Sequence, residues 1–279
     1  MKKFILSVIA IVVCLLSSSF NVSKAEAADV RGIELKNQKD ITKYDVTGDG
    51  EKDTIRIDCD KPDELNAWMG DDWKITINGE VVYRDNPEDY TETLSVVLYQ
   101  ISSTRIYLDI QENVGANDDI NSRAFYQYKD GSLVKVCDIY EPLLKHVYSF
   151  HFYVTDVKVT KKKIVASYMN QFSATGYLAW GITYKYQNGS WKKAGNTYKV
   201  TEEKALTTNR RFAVYKTAGG KTKAFTLKKG QAVQIKKICL KNKQTYVQLV
   251  LPNGKKGWLK SPAKDLPEMY YFQEVMFAG

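Results

Sequence analysis

After an initial apolar stretch, apolar and polar residues alternate with a period of two along almost the whole chain. The alternation breaks at Asn-Gly, Asp-Gly and Gly-Gly pairs. Period two sets every second side chain against a core, and these dipeptides supply the positive backbone angles that tight hairpins need. Tyr, Val, Ile and Thr are abundant in the alternating segments, as expected of strands. No segment carries a sustained 3.6-residue apolar stripe; Glu92 to Ile101 comes closest. The pattern predicts an all-β protein.

Within residues 30–200 a short text recurs at an offset of 58 positions: Tyr126, Tyr128, Gly131, Ser132 and Lys135 match Tyr184, Tyr186, Gly189, Ser190 and Lys193, and Ile106 matches Ile164. An earlier segment, Trp73 to Tyr83, has the same shape around Gly79. Each unit is a strand, a glycine turn and a returning strand, too small to bury its own apolar face. A β-repeat region at 28–200, a propeller-like meander of stacked units, is therefore expected. The polar passage from Ala194 to Thr208 reads as a linker to a second, smaller unit at 205–265, followed by a C-terminal tail at 266–279.

The apolar stretch at the start changes the compartment. Lys2 and Lys3 precede a run from Phe4 to Leu16, and Ala25-Glu26-Ala27 offers a cleavage site, so residues 1–27 read as a secretory signal peptide. Cys14 lies inside the apolar run behind Val12-Val13, which lacks the small residue a lipidation site needs. The run is short of the ~20 residues of a membrane span, and no stable membrane insertion is expected. The protein is expected to be secreted, extracellular or associated with the cell wall. Cleavage removes Lys2, Lys3, Lys24 and Glu26 and leaves Cys59, Cys137 and Cys239. An odd number permits one disulfide at most, either Cys59 with Cys137 or none.

Charge divides the chain more sharply than the net value of +9 suggests. Residues 28–204 hold 23 bases against 28 acids, whereas Ala205 to Lys264 holds fifteen bases and no acid. The fifteen are spread through hydrophobic strands rather than bunched in a tail, which points to a folded unit facing a polyanion.

One short motif has metal-ligand spacing. Asp45, Thr47 and Asp49 stand at alternate positions, Gly50 follows at the sixth, Glu51 would offer its carbonyl at the seventh, and Asp53 closes the set at the ninth. Oxygen donors so spaced suit a hard cation such as Ca²⁺. The motif resembles the calcium loops of extracellular FG-GAP and VCBS repeats, with Thr47 where Asp or Asn is commoner. That resemblance implies one structural Ca²⁺ and no catalytic group.

The basic unit carries a second resemblance. Leu227, Lys228, Lys229, Gly230, Val233, Ile235, Tyr246, Val247, Gly254, Gly257 and Trp258 fit the pattern of the bacterial SH3-like family, most specifically in the closing Gly-x-x-Gly-Trp. The front of the family pattern is replaced by Phe212 to Ala218. The resemblance implies a small SH3-like barrel that binds extracellular surfaces. Its candidate ligand-binding residues are Lys228, Lys229, Tyr246, Lys255, Lys256 and Trp258.

Enzyme signatures are scarce. His146 and His151 belong to no recognisable nucleophile or metal arrangement, and the acidic groups at 58–72 and 112–119 have loop composition without site spacing. The sequence therefore predicts a non-enzymatic binding protein retained on an anionic cell-wall polymer or peptidoglycan. Nucleic acid meets the same electrostatics but is not expected outside the cell. The Tyr-rich repeat region could hold a protein partner. The alternative is a wall-active hydrolase whose N-terminal catalytic region is delivered by the SH3-like unit.

Overall fold

The computed structural model describes residues 29–59, 73–84, 93–114, 119–140, 152–262, 264 and 266–275. The proposed signal segment, His146 and His151, and all of the 58–72 acidic group except Asp58 lie outside them. All the regular elements described are antiparallel strands. Among the described residues no helix is long and apolar enough to cross a membrane.

The first sheet joins β2 (Ile41–Tyr44), β3 (Asp53–Cys59), β4 (Trp73–Ile77) and β5 (Glu80–Arg84) in chain order. The second joins β1 (Ile33–Glu34) to a meander of β6 (Thr93–Ser102), β7 (Arg105–Val114), β8 (Asp119–Lys129) and β9 (Ser132–Asp138). Segment 92–101, the nearest thing to a helix in the sequence, is thus mostly strand β6. Its apolar residues pair along β7, and tertiary context overrides the weak local signal.

The third meander is β10 (Phe152–Val159), β11 (Lys163–Phe172), β12 (Gly176–Gln187) and β13 (Ser190–Lys193). The sequence repeat lands on one hairpin in each of the three units, β4–β5, β8–β9 and β12–β13. Asn78-Gly79, Asp130-Gly131 and Asn188-Gly189 each take positive φ at both turn residues, the twist that matches two antiparallel strands.

These units stack in layers. β3 alternates strictly between buried and half-buried positions and faces one core with Ile55, Ile57 and Cys59. The second sheet buries both faces: Val96, Leu98, Leu108 and Ile110 face the first sheet, while Tyr99, Tyr107, Phe125 and Cys137 belong to the core of the third meander. Tyr83 meets Tyr126 edge-on at 5.2 Å across one junction, and Tyr107 meets Trp191 at 5.9 Å across the other. Between the layers Arg123 donates to both oxygens of buried Asp109, at 3.1 and 2.8 Å. Cys59 and Cys137 lie in different cores, and all three described cysteines are free thiols.

No linker follows the third meander. The passage read as a connection is strand β14 (Thr197–Thr207), which pairs with β12 on one side and with β17 (Ala232–Lys241) on the other. The sheet continues through β18 (Gln244–Val250), β19 (Lys256–Ser261), β15 (Phe212–Tyr215) and β16 (Lys223–Leu227). One ten-stranded sheet therefore crosses the expected boundary. Among the described residues neither a closed barrel nor a closed propeller forms. The polar composition that suggested a linker reflects the outward face of β14; its inward face carries buried Tyr198 and Leu206.

The tail is also part of the fold. Phe272 is fully buried, Asn209 N–H donates to Tyr271 O at 2.8 Å, and Gln273 N–H donates to Thr207 O at 2.9 Å.

Candidate functional site

The two sets of residues singled out in the sequence behave in opposite ways. In the loop before β3 the carboxylates turn inward onto the loop's own backbone. Asp45 accepts from Gly48 N–H at 2.6 Å and from Gly50 N–H at 3.0 Å, and Asp49 accepts from Glu51 N–H at 2.8 Å. Asp53, buried at the head of β3, accepts from Val46 N–H at 2.5 Å and Thr47 N–H at 2.8 Å through one oxygen. Its other oxygen accepts Thr47 Oγ1 at 3.2 Å and Asn78 Nδ2 at 2.6 Å.

A carboxylate has about four lone-pair sites, and these four donors occupy them. Burial alone would raise the Asp53 pKa. The Thr47 and Val46 amides and the Asn78 side chain outweigh it and hold the carboxyl below its ordinary range. Among the described residues no three acidic, His or Cys side chains converge as a metal set. Asp53 thus has all its acceptor sites taken within the protein. Its chemistry is that of a clamp tying the entrance of β3 to the β4–β5 turn through Asn78.

The basic sheet leaves its charges outside. Lys228 and Lys229 occupy the turn between β16 and β17, with Gly230 at φ 83°, and Lys255 and Lys256 occupy the turn leading into β19, after Gly254 at φ 80°. Gln234 is paired with Val250, so the start of β17 lies beside the end of β18 and both lysine pairs come to the same end of the sheet. At the same end, where β17 starts and β18 ends, is a recess of about 440 Å³ lined by Ala205, Ala232, Gln234, Val250, Leu251 and Pro252. All four lysines are exposed.

Trp258 sits mid-strand on the outer face, opposite Gln248 on β18 and Tyr215 on β15. Tyr246 lies at the far end of β18, where the Gly219 loop covers it; a methyl group on Gly219 would come within 3.2 Å of its hydroxyl. The structure thus brings the four turn lysines together, places Trp258 beside them, and sets Tyr246 apart. Tyr215, 37% exposed and paired with Trp258, was not singled out in the sequence because only the register of β15 against β19 brings it there.

Few partners neutralise this face. Lys236 pairs with Glu203 at the edge of the acid-free stretch, and Arg210 lies over the Tyr270 ring at 4.3 Å. Lys204 points the other way: its Nζ donates to Tyr177 O at 2.9 Å, and burial lowers its pKa, partly offset by Glu274. The buried Cys137 thiol is pushed up to about 12, chiefly by burial, and is unsuited to nucleophilic work.

No family model, curated protein or solved structure matches this chain. The resemblances to SH3-like and FG-GAP or VCBS units therefore rest on the residues quoted for them.

Proposed function

We propose that this is a secreted, non-enzymatic binding protein held on an anionic cell-wall polymer by its C-terminal basic sheet. The observation that supports it is the acid-free run from Ala205 to Lys264, whose lysines Lys228, Lys229, Lys255 and Lys256 stand exposed at the end of the sheet that also carries an apolar recess. Concentrating one sign of charge on a folded surface costs self-repulsion, and a polymer of opposite charge relieves it. Trp258 and Tyr215 add flat apolar surface beside the cations, suited to the carbon backbone of a polyol or sugar chain. The SH3-like resemblance points to the same role.

The test is retention of the full chain on purified walls, with and without their anionic polymer, across a salt series. Binding should need the polymer, weaken steeply with salt, and fall about a hundredfold when the four turn lysines become glutamate. Retention indifferent to both salt and polymer would remove this reading.

A further inference from the structure

A second recess lies outside the basic unit. Where β12 and β14 run side by side, Gly181 leaves the sheet without a side chain, and a groove of about 370 Å³ opens on the outer face. Its lining includes Val165, Thr183, Lys185, Thr197, Lys199 and Thr201, and no carboxylate.

The register around the groove sets like charges against each other. Lys185 is opposite Lys163 on β11 and opposite Lys192 on β13, and Lys199 is opposite Lys237 on β17. Like charges directly across a ladder destabilise a sheet. The Lys185–Lys192 and Lys199–Lys237 pairings concentrate positive charge along the groove. Of the exposed acids described nearby, Asp156 lies 3.8 Å from Lys158, Glu203 pairs with Lys236, and Glu202 follows Thr201 on β14.

The groove is also continuous with the basic unit. Trp180 pairs with Val200 on the inward face, so Gly181 and Lys199 share the outward one. From Lys199 the same row of the ladder runs to exposed Lys237, buried Gln248, half-buried Trp258 and exposed Tyr215. At about 4.8 Å between strands, the row from β12 to β18 spans roughly 14 Å.

We infer that the Gly181 groove is a second anion subsite, and that a single phosphodiester-linked polyol chain lies across the β12–β14–β17–β18 face, with Lys185 and Lys199 on its phosphates. The threonine hydroxyls of the groove donate to the same oxygens. This rests on the function proposed above and extends the binding surface beyond residues 205–264 into the third meander.

The test uses the full chain and purified poly(glycerol phosphate), titrated at several salt concentrations. K185E/K199E should weaken binding about tenfold at low salt and flatten its salt dependence, because two phosphate contacts are lost. K43E/K52E, with the same change in net charge on β2 and in the loop before β3, should stay within about threefold of the unmodified chain. The neutral pair K185Q/K199Q should give a smaller loss of the same kind, and serves if the reversed charges disturb folding. Equal affinities for K185E/K199E and K43E/K52E would overturn the groove while leaving the C-terminal site standing. Failure of the unmodified chain to bind the polymer would overturn both. Tighter binding of a single-stranded oligonucleotide at equal salt would overturn the choice of occupant.

Discussion

The Asp45–Asp53 loop and the C-terminal basic sheet are both rich in charge, and they differ in what the charge is for. In the loop, Asp45, Asp49 and Asp53 are used up on backbone N–H groups and on Asn78. In the sheet, lysines face outward, and Lys199 stands opposite Lys237. Charge satisfied inside the fold is structural. Charge left facing solvent is what the proposed polymer contact would use.

The comparison can be broken first at the tail that completes the basic sheet. Phe272 is fully buried against Phe212, with ring centroids 5.8 Å apart, and Phe272→Ala should cost about 4 kcal/mol in urea denaturation. A loss below about 1 kcal/mol would make residues 266–275 a dispensable appendage.

Asp53→Ala comes next. It strands the Val46 and Thr47 amides and the Asn78 side chain, and about 3 kcal/mol should be lost without calcium present.

The same group sets an acid limit. Its folded pKa lies below the ordinary carboxylate value, so its stabilisation is present above about pH 4 and disappears as pH falls through the folded value. Glu274, whose burial is outweighed by the Thr207 amide and Lys204, acts in the same direction. Thermal melts from neutral pH down to about pH 3 should therefore show a loss that Asp53→Asn partly removes.

A smaller gain is expected at the β17–β18 turn. Lys243 is held at φ 55°, where glycine is at ease, and Lys243→Gly should add about 1 kcal/mol.

Calcium sharpens the contrast from the other side. A loop that bound the ion would gain about 2.7 kcal/mol at a hundred times its dissociation constant, whereas the saturated Asp53 predicts coincident melts with calcium and with chelator. A calcium-dependent rise would return the loop to the cation sites.

Much of the fold was legible along the chain. The all-β class, the three Gly turns and the 58-residue repeat followed from local pattern, because period-two burial and positive backbone angles are written in neighbouring residues. The boundary at Ala194–Thr208 was not, because composition reports only the outward face of β14, and its inward Tyr198 and Leu206 gain meaning from β12 and β17. The candidate sites divide in the same way. Lys228, Lys229, Lys255 and Lys256 could be named from turn chemistry, while Lys185, Lys199 and Tyr215 needed the register. The Asp loop reads two ways in sequence, because alternating oxygens suit a turn's own amides as well as a cation.

Strand β14 has a mechanical consequence. It is hydrogen-bonded to the third meander on one edge and to β17 on the other, with buried Tyr198 against Trp180 at 5.4 Å. If the C-terminal sheet is gripped by a surface and flow drags on the layered part, the pull reaches the layers through this shared strand. A flexible linker would stretch under such a load. Here the load would pass through the Trp180–Val200 pairing and the longer β14–β17 ladder rather than through slack chain.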